Sequence, residues 1–166
     1  MLAAISATVV SAIVGLAPHP PIVVYNGSGS APLGFYRVEN RMPRRGEMAV
    51  IEPSPLVELM LVARGMLPPS VPLIKQIVAT GGDEVCRSDT PNGTIAINGK
   101  VVAETFAKDR DGRPLPAWSG CMKLIEGEFF LLQPHPLSFD SRYFGPVVRC
   151  DVIGLAHPVW TWNPDG

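Results

Sequence analysis

The distribution of charge along the chain constrains its fold more than any other feature. Residues 1–36 contain no Lys, Arg, Asp or Glu, so all 14 basic and all 15 acidic residues lie at or beyond Arg37. Residues 1–17 are apolar or small throughout, and a helix of this length would extend about 25 Å, the short end of a membrane span. We predict that residues 1–17 form a membrane anchor and that residues 18–166 form one domain outside the bilayer.

A cleavable secretory signal is the alternative interpretation of the same segment. Gly15 and Ala17 are small residues of the kind that precede a cleavage site. Pro18 would follow that cut, however, and its ring offers no N–H to a protease. The positively charged leader of a secretory signal is also missing. We therefore favour an anchor that is retained.

Composition excludes a disordered chain and a nucleic-acid partner. Apolar residues make up 46% of the chain and the mean hydropathy is +0.20, values that are too high for a disordered protein. The net charge is -1 and the longest basic run is Arg44-Arg45. The electrostatic footprint of a nucleic-acid-binding protein is therefore missing.

The three cysteines carry a limited prediction. Cys86, Cys121 and Cys150 form no C-x-x-C motif, and no histidine stands at zinc-ligand spacing from them, so we expect no metal site and no cofactor. In an exported protein, Cys86 and Cys121 would form a disulfide and leave Cys150 free. The alternative is three small thiols, most of them buried.

Short runs with the two-residue periodicity of β-strands alternate with turns over most of the chain. Asn98-Gly99 lies between two of these runs and predicts a tight hairpin turn. We therefore predict a mainly β domain with an antiparallel, barrel-like sheet that is closed or nearly closed. The runs are Ile22–Tyr25, Phe35–Val38, Met48–Ile51, Leu73–Val78, Thr94–Ile97, Val101–Thr105, Glu128–Gln133, Pro146–Val148 and Val152–Ala156.

One helix outside the anchor is predicted, over Pro55–Arg64. Ser54 stands at its N-cap position and Gly65 is suited to end it. We expect its apolar side chains to belong to the core, with a patch that rests on lipid as the second interpretation. These side chains are Leu56, Leu59, Met60 and Val62.

Two segments combine into a candidate nucleophile and base. Tyr25–Gly34 is a Gly/Ser loop in which Pro32 would fix the turn after Ser30; alone it is a linker, because a serine needs a base before it attacks. Strand alternation places Lys75 on the face of Leu73 and Ile77, and burial there would lower its pKa and make it a base. The alternative is a lysine that extends to solvent at a strand end.

A third polar segment follows a strand rich in Phe and Leu. Ser138, Asp140 and Arg142 share one parity, so a β-type path would project all three from the same side. An Asp two residues from an Arg is usually an exposed or structural ion pair. Here the three groups could instead orient a base on the strand opposite.

In these three segments the chain resembles the Ser-Lys signal peptidases, and within them the TraF-like conjugative transfer signal peptidases. The resemblance covers roughly residues 22–160 and follows a predicted anchor, as such enzymes have. Leu33–Arg37 takes the TraF-like form, whereas Ala31-Pro32 departs from leader peptidases, which have Met directly after the serine and a Pro one residue later than Pro32. The resemblance rests on Ser28-Gly29-Ser30 with Pro32, on Lys75 followed by Gly82-Asp83, and on Ser138-x-Asp140-Ser141-Arg142-Tyr143-x-Gly145.

The resemblance implies a role for each polar residue of these segments. Ser30 would be the nucleophile and Lys75 the general base. Ser28 Oγ and the Ser30 N–H would be the oxyanion donors. The remaining residues would support them: Ser138 as a hydrogen-bond partner of the lysine, Asp140 with a catalytic part, and Arg142 fixing the surroundings.

The resemblance also implies a signal-peptidase fold with an N-terminal transmembrane helix and one or two short helices. The function implied is that of a serine endopeptidase in the inner membrane, with its catalytic domain in the periplasm. Its partners would be membrane lipid and an exported precursor with small residues before the cut, in particular a conjugative pilin that is cleaved and, if an amine replaces water, cyclised.

Three other functions compete with this one. A general leader peptidase would share the mechanism, and a non-catalytic, membrane-tethered scaffold of a secretion channel would use the Gly/Ser loop as a hinge and Lys75 as a surface residue. A Ser-Lys self-cleaving regulator would need a DNA-binding helix pair upstream, where only the apolar segment stands.

Overall fold

The computed structural model describes residues 22–162, and the predicted anchor at residues 1–17 lies outside them. Within the described range, no helix is both long and apolar enough to cross a bilayer. The helices are α1 (Pro55–Ala63), α2 (Ser141–Phe144) and a 3-10 turn (Arg149–Asp151). The strands are β1 (Ile22–Asn26), β2 (Leu33–Glu39), β3 (Met48–Ile51), β4 (Leu73–Thr80), β5 (Glu84–Arg87), β6 (Thr94–Ile97), β7 (Lys100–Glu104), β8 (Gly120–Lys123), β9 (Glu128–Leu132), β10 (Val147–Val148) and β11 (Val152–Trp162).

The strands form two antiparallel sheets. Seven strands follow the order β1-β2-β11-β3-β4-β9-β10, and four follow the order β7-β6-β5-β8. The prediction of a mainly β, antiparallel domain with few helices is therefore confirmed. The predicted barrel-like closure is only partial: among the described residues the larger sheet ends at β1 and β10 as a curled half-barrel, and the other four strands form a second sheet.

Local sequence explains most of the strand boundaries. Asn98 and Gly99 adopt φ values of 49° and 80°, so they form the predicted tight turn between β6 and β7. Strand β11 continues to Trp162 in spite of Pro158, because its register against β2 shifts between Pro158 and Trp160. Such an irregularity accommodates a proline that cannot donate to the ladder.

Two strands were missed by the periodicity. Strands β5 and β8 are four residues long and mix charged, cysteine and glycine residues, so neither shows an apolar alternation. They pair with each other, and β5 also pairs with β6. Long-range pairing rather than local preference therefore creates them.

Two apolar clusters hold the sheets together. The first packs α1 against the seven-stranded sheet and includes Val57, Leu61, Leu73, Ile77 and Leu131. The second joins the two sheets and includes residues of β9 whose side chains alternate with Leu131. Strand β9 is therefore buried on both faces, and its neighbour β4 is an interior strand of the larger sheet.

Helix α1 shows a different face to solvent from the one predicted. It contacts the core through Val57 and Leu61, and Met60 is partly buried beside them. Leu56, Leu59 and Val62 are 62%, 65% and 38% exposed, so the prediction that they belong to the core is wrong. A helix of nine residues lying on a sheet buries only one side, and apolar residues at the other positions remain in solvent.

The ends of α1 follow the sequence closely. The helix ends at Ala63 with Arg64 as its C-cap, and Gly65 follows with a φ of 65°, the left-handed conformation expected of the residue that ends a helix. Ser54 occupies the N-cap position without donating or accepting a side-chain cap hydrogen bond.

The predicted disulfide is present. Cys86 on β5 and Cys121 on β8 lie opposite each other in the sheet and are bonded, while Cys150 is free and exposed. The bond joins residues 35 positions apart. It therefore closes a loop that contains the β6–β7 hairpin and the connection formed by residues 105–119.

Removing the disulfide should destabilise the protein. For a loop of this length we expect the double variant Cys86→Ser/Cys121→Ser to lose about 2–4 kcal/mol of unfolding free energy, measured by urea denaturation of the detergent-solubilised protein. Cys150→Ser is the matched control and should change that free energy by less than about 0.5 kcal/mol. A double variant as stable as the control would contradict this.

Candidate active site

The Gly/Ser loop lies between β1 and β2, and Asn26 at the end of β1 holds it in shape. Its amide Nδ2 donates to the backbone oxygens of Ser28, Ala31 and Pro32 at 3.1, 3.2 and 3.0 Å, and its Oδ1 accepts from the Ser28 N–H at 3.2 Å. Asn26 is 8% exposed. A single buried side chain thus fixes the loop that carries Ser30.

Lys75 projects from β4, an interior strand of the larger sheet, toward this loop. Its Nζ lies 3.0 Å from Ser30 Oγ and 2.9 Å from Ser138 Oγ, and it donates to both. Ser28 Oγ lies 2.9 Å from Ser30 Oγ. The structure therefore brings four of the predicted site residues, from three separate parts of the chain, into one hydrogen-bonded chain.

Burial determines the protonation of Lys75. The residue is 4% exposed, as the alternation with Leu73 and Ile77 predicted. Desolvation lowers its pKa from 10.5 to about 8, while the charge of Asp140 raises it and that of Arg142 lowers it. A substantial fraction of this amine is therefore neutral at mildly alkaline pH, when it can accept a proton.

Asp140 and Arg142 form a buried ion pair behind the lysine. Asp140 Oδ1 accepts from Arg142 Nε at 2.7 Å, and Oδ2 accepts from Arg142 Nη2 at 3.0 Å. Arg142 also donates to the backbone oxygens of Gln133 and Pro136, both at 2.9 Å. The ion pair therefore fixes the backbone of the segment that carries Ser138. Asp140 itself forms no hydrogen bond with Ser30 or Lys75.

The path of this segment differs from the β-type path predicted for it. Asp140 caps α2, its side chain accepting from the Arg142 N–H, so Arg142 lies in a helical turn. Ser138, Asp140 and Arg142 are nevertheless all buried. Their proximity arises from the cap and the ion pair rather than from strand alternation.

Two residues of the site were not identified from the sequence. Asn26 precedes a Gly/Ser loop, a position where Asn often organises a turn, so its type and place were a usable signal. Gln133 is 5% exposed and donates through Nε2 to the backbone oxygen of Ile74 at 3.1 Å, next to Lys75. Nothing local in the sequence marks that long-range contact.

A cavity of about 400 Å³ opens at the site, a volume typical of ligand pockets. Ser28, Ser30, Lys75 and Ser138 all line it, so the hydroxyls and the amine face a space that a substrate can enter. Its apolar lining includes Leu61, Leu67, Leu73, Phe106, Phe139 and Tyr143. Its charged lining comes from Arg64 and from the connection between β7 and β8.

Comparison with known proteins identifies the family of this chain. The family model described as signal peptidase, peptidase S26, matches residues 1–162. The chain belongs to the peptidase S26 family of signal peptidases. A signal peptidase I structure from Enterococcus faecalis V583 is 20% identical, covers 70% of this chain and 98% of its own, and has a TM-score of 0.40.

Two relatives of this S26 family chain are conjugation proteins. It is 34% identical over 150 residues to the conjugal transfer protein TraF of Agrobacterium fabrum (strain C58 / ATCC 33970), covering 84% of this chain and 82% of that protein. It is 32% identical over 148 residues to a plasmid transfer protein TraF of Escherichia coli, covering 82% of each. The TraF-like resemblance inferred from the three segments is confirmed.

Within residues 22–162, one group of side chains has the spacing of a metal site. Its members do not provide a set of ligands that could bind a metal. Glu84, Cys86 and Cys121 have ligand atoms within 4.8 Å of one another. Both sulfurs are bonded to each other in the disulfide, so neither is a thiolate that could bind a metal.

The buried lysine should make stability depend on pH in a specific direction. Between pH 8 and 10.5 the unfolded chain binds more protons at Lys75 than the folded protein, so wild-type stability rises with pH relative to a variant without this group. We expect the unfolding free energy of Lys75→Met, relative to that of the wild type, to fall by on the order of 3 kcal/mol between pH 7 and pH 10.5, measured by urea denaturation.

The control for this variant is Lys123→Met, at an exposed position on β8. Its stability relative to wild type should stay constant between the two pH values. A pH-independent difference between wild type and Lys75→Met would mean that Lys75 titrates like a solvated lysine.

Proposed function

We propose that this chain is a serine endopeptidase with a Ser30–Lys75 dyad. The observation that carries the proposal is the 3.0 Å separation of Lys75 Nζ from Ser30 Oγ, made by a lysine that is almost wholly buried. A serine hydroxyl is a weak nucleophile until a neighbouring base takes its proton, and a desolvated lysine is such a base. Membership of the S26 family supports the same chemistry.

The reaction is acyl transfer in two steps. Neutral Lys75 takes the Ser30 proton as Ser30 Oγ attacks the scissile carbonyl, and the resulting ammonium gives that proton to the leaving amine. Ser28 Oγ and the Ser30 N–H donate hydrogen bonds to the oxyanion. Removal of one such donor usually lowers kcat by on the order of 10²- to 10³-fold. Water, activated by the same lysine, then releases the acyl group.

Supporting residues keep the amine in place rather than react. Ser138 accepts one hydrogen bond from Lys75 and so directs it toward Ser30. The charge of Asp140 acts on the pKa of Lys75, and its ion pair with Arg142 closes the segment that holds Ser138. The catalytic part of Asp140 is therefore electrostatic and positional.

The substrate is an exported precursor with small residues before the cut, in particular a conjugative pilin. The TraF relatives, which are named for conjugal and plasmid transfer, support a role in conjugation over general leader-peptide removal. The Ala31-Pro32 sequence after the nucleophile also departs from leader peptidases. If an amine of the precursor replaces water in the second step, the product is a cyclic pilin.

The protein acts at the inner membrane with its catalytic domain in the periplasm. The uncharged segment of residues 1–17 supports an anchor that keeps the domain near membrane-inserted precursors. The Cys86–Cys121 disulfide supports an oxidising compartment, because such bonds persist mainly outside the cytosol.

A processing assay tests the proposal directly. We expect the detergent-solubilised protein to cut a small-residue pilin precursor, and we expect Ser30→Ala to remove that activity because the nucleophile is lost. Mass spectrometry of the products distinguishes the two outcomes. Cleavage gives a linear product with new termini, and ring closure gives a product that is lighter than this linear product by one water. Equal processing by wild type and Ser30→Ala would assign the activity elsewhere and favour the scaffold function.

The pH dependence tests the base. Because only the neutral amine accepts the Ser30 proton, kcat/KM should rise with pH along a limb whose apparent pKa is about 8, the value that burial gives Lys75. Steady-state rates with a quenched-fluorescence precursor peptide measure this limb. A flat profile between about pH 6 and 9 would exclude Lys75 as the base.

A further inference from the structure

Two cations on the active-site cavity have no acidic partner. Lys108 and Arg110, in the connection between β7 and β8, line the same cavity as Ser30. Both are exposed, and neither forms an ion pair among residues 22–162. No part of the mechanism above uses them.

Apart from the buried Lys75, the other Lys, Arg and Asp charges of the cavity pair with one another. Asp109 accepts from Arg64 Nη1 at 2.7 Å and from Arg113 Nε at 2.9 Å, and Asp111 accepts from Arg113 Nη2 at 2.7 Å. These two carboxylates and two guanidinium groups sum to zero. The exposed excess positive charge at the cavity therefore belongs to Lys108 and Arg110, in a protein whose net charge is -1.

The backbone that carries these two cations is fixed. Asp109 is the centre of the turn: its Oδ1 accepts from the Asp111 and Arg113 N–H groups at 3.0 and 2.9 Å. Arg64 Nη2 ties the turn to the end of α1 by donating to the Pro114 oxygen at 2.6 Å. A bridge pairs Lys108 with Pro114 across the turn. Lys108 and Arg110 therefore flank a residue that is held in place, and little backbone ordering is needed to bind a ligand there.

We propose that Lys108 and Arg110 bind a carboxylate of the precursor and so select its sequence near the cut. The inference rests on the peptidase function proposed above, because it takes the ligand to be a peptide that enters the Ser30 cavity. An unmodified peptide carries negative charge at neutral pH only on Asp and Glu side chains and on its C-terminal carboxylate. Uncompensated cations beside an apolar lining attract those groups in preference to neutral ones.

A charge-matched peptide series tests the proposal. One precursor peptide carries a single Glu near the cut and an amidated C terminus, a second carries Gln instead, and a third carries Gln with a free C-terminal carboxylate. We expect Lys108→Gln/Arg110→Gln to lower kcat/KM for a carboxylate peptide by about 3- to 30-fold more than for the uncharged one, mainly through KM. Added salt should reduce the same preference in the wild type.

The control variant is Lys100→Gln/Lys123→Gln, which removes two exposed lysines outside this cavity. It should leave the preference for a carboxylate unchanged. A loss that follows the Glu-to-Gln exchange assigns the site to a side chain, and a loss that follows the free C terminus assigns it to the chain end. Equal losses for charged and uncharged peptides, or the same loss in the control, would overturn the proposal.

Binding measurements separate this proposal from the peptidase function. Ser30→Ala does not cleave, so fluorescence anisotropy with the labelled peptides gives their dissociation constants directly. A carboxylate preference in this protein that is lost with Lys108→Gln/Arg110→Gln supports the cation site even if the wild type fails to cleave. Equal affinity for all three peptides overturns the site even if the wild type cleaves them.

Discussion

The desolvation of one lysine is the constraint on which the rest of the structure depends. A buried ammonium costs free energy, and here that cost appears as a pKa lowered to about 8. The surrounding strands leave Lys75 only 4% exposed, and hydroxyls rather than carboxylates accept its hydrogen bonds. A carboxylate in direct contact would stabilise the ammonium and remove the base.

The placement of Asp140 follows from the same constraint. Arg142 and backbone N–H groups take up both of its oxygens, so its charge raises the pKa of Lys75 without a direct hydrogen bond between them. A buried ion pair offsets the cost of its desolvation only when its remaining hydrogen-bonding groups are satisfied, as those of Asp140 and Arg142 are here. The same two residues thus set the geometry of Ser138 and adjust the electrostatics of the amine.

Local patterns in the sequence predicted much of this site. Alternation identified the buried face of Lys75, Asn98-Gly99 identified a hairpin, and the order of three short segments identified the family. Contacts that produce no periodic pattern in the local sequence were not predicted. They are the pairing of β5 with β8, the hydrogen bond from Gln133 to β4, and the turn around Asp109. The exposed side of α1 was misassigned because apolar residues lie on all sides of this helix, so its sequence does not distinguish the face that packs on the core from the face in solvent.

The strand order determines when Ser30 and Lys75 can come together during synthesis. Ser30 precedes β2, Lys75 lies on β4, and between β2 and β3 the sheet contains β11, the last strand of the described residues. A nascent chain whose β11 is still inside the ribosome lacks the strand that lies between β2 and β3. Ser30 precedes β2 and Lys75 follows β3, so their parts of the sheet are not yet joined. The contact between Ser30 and Lys75 therefore depends on a strand that is synthesised more than 70 residues after Lys75, once residues 152–162 have left the ribosome.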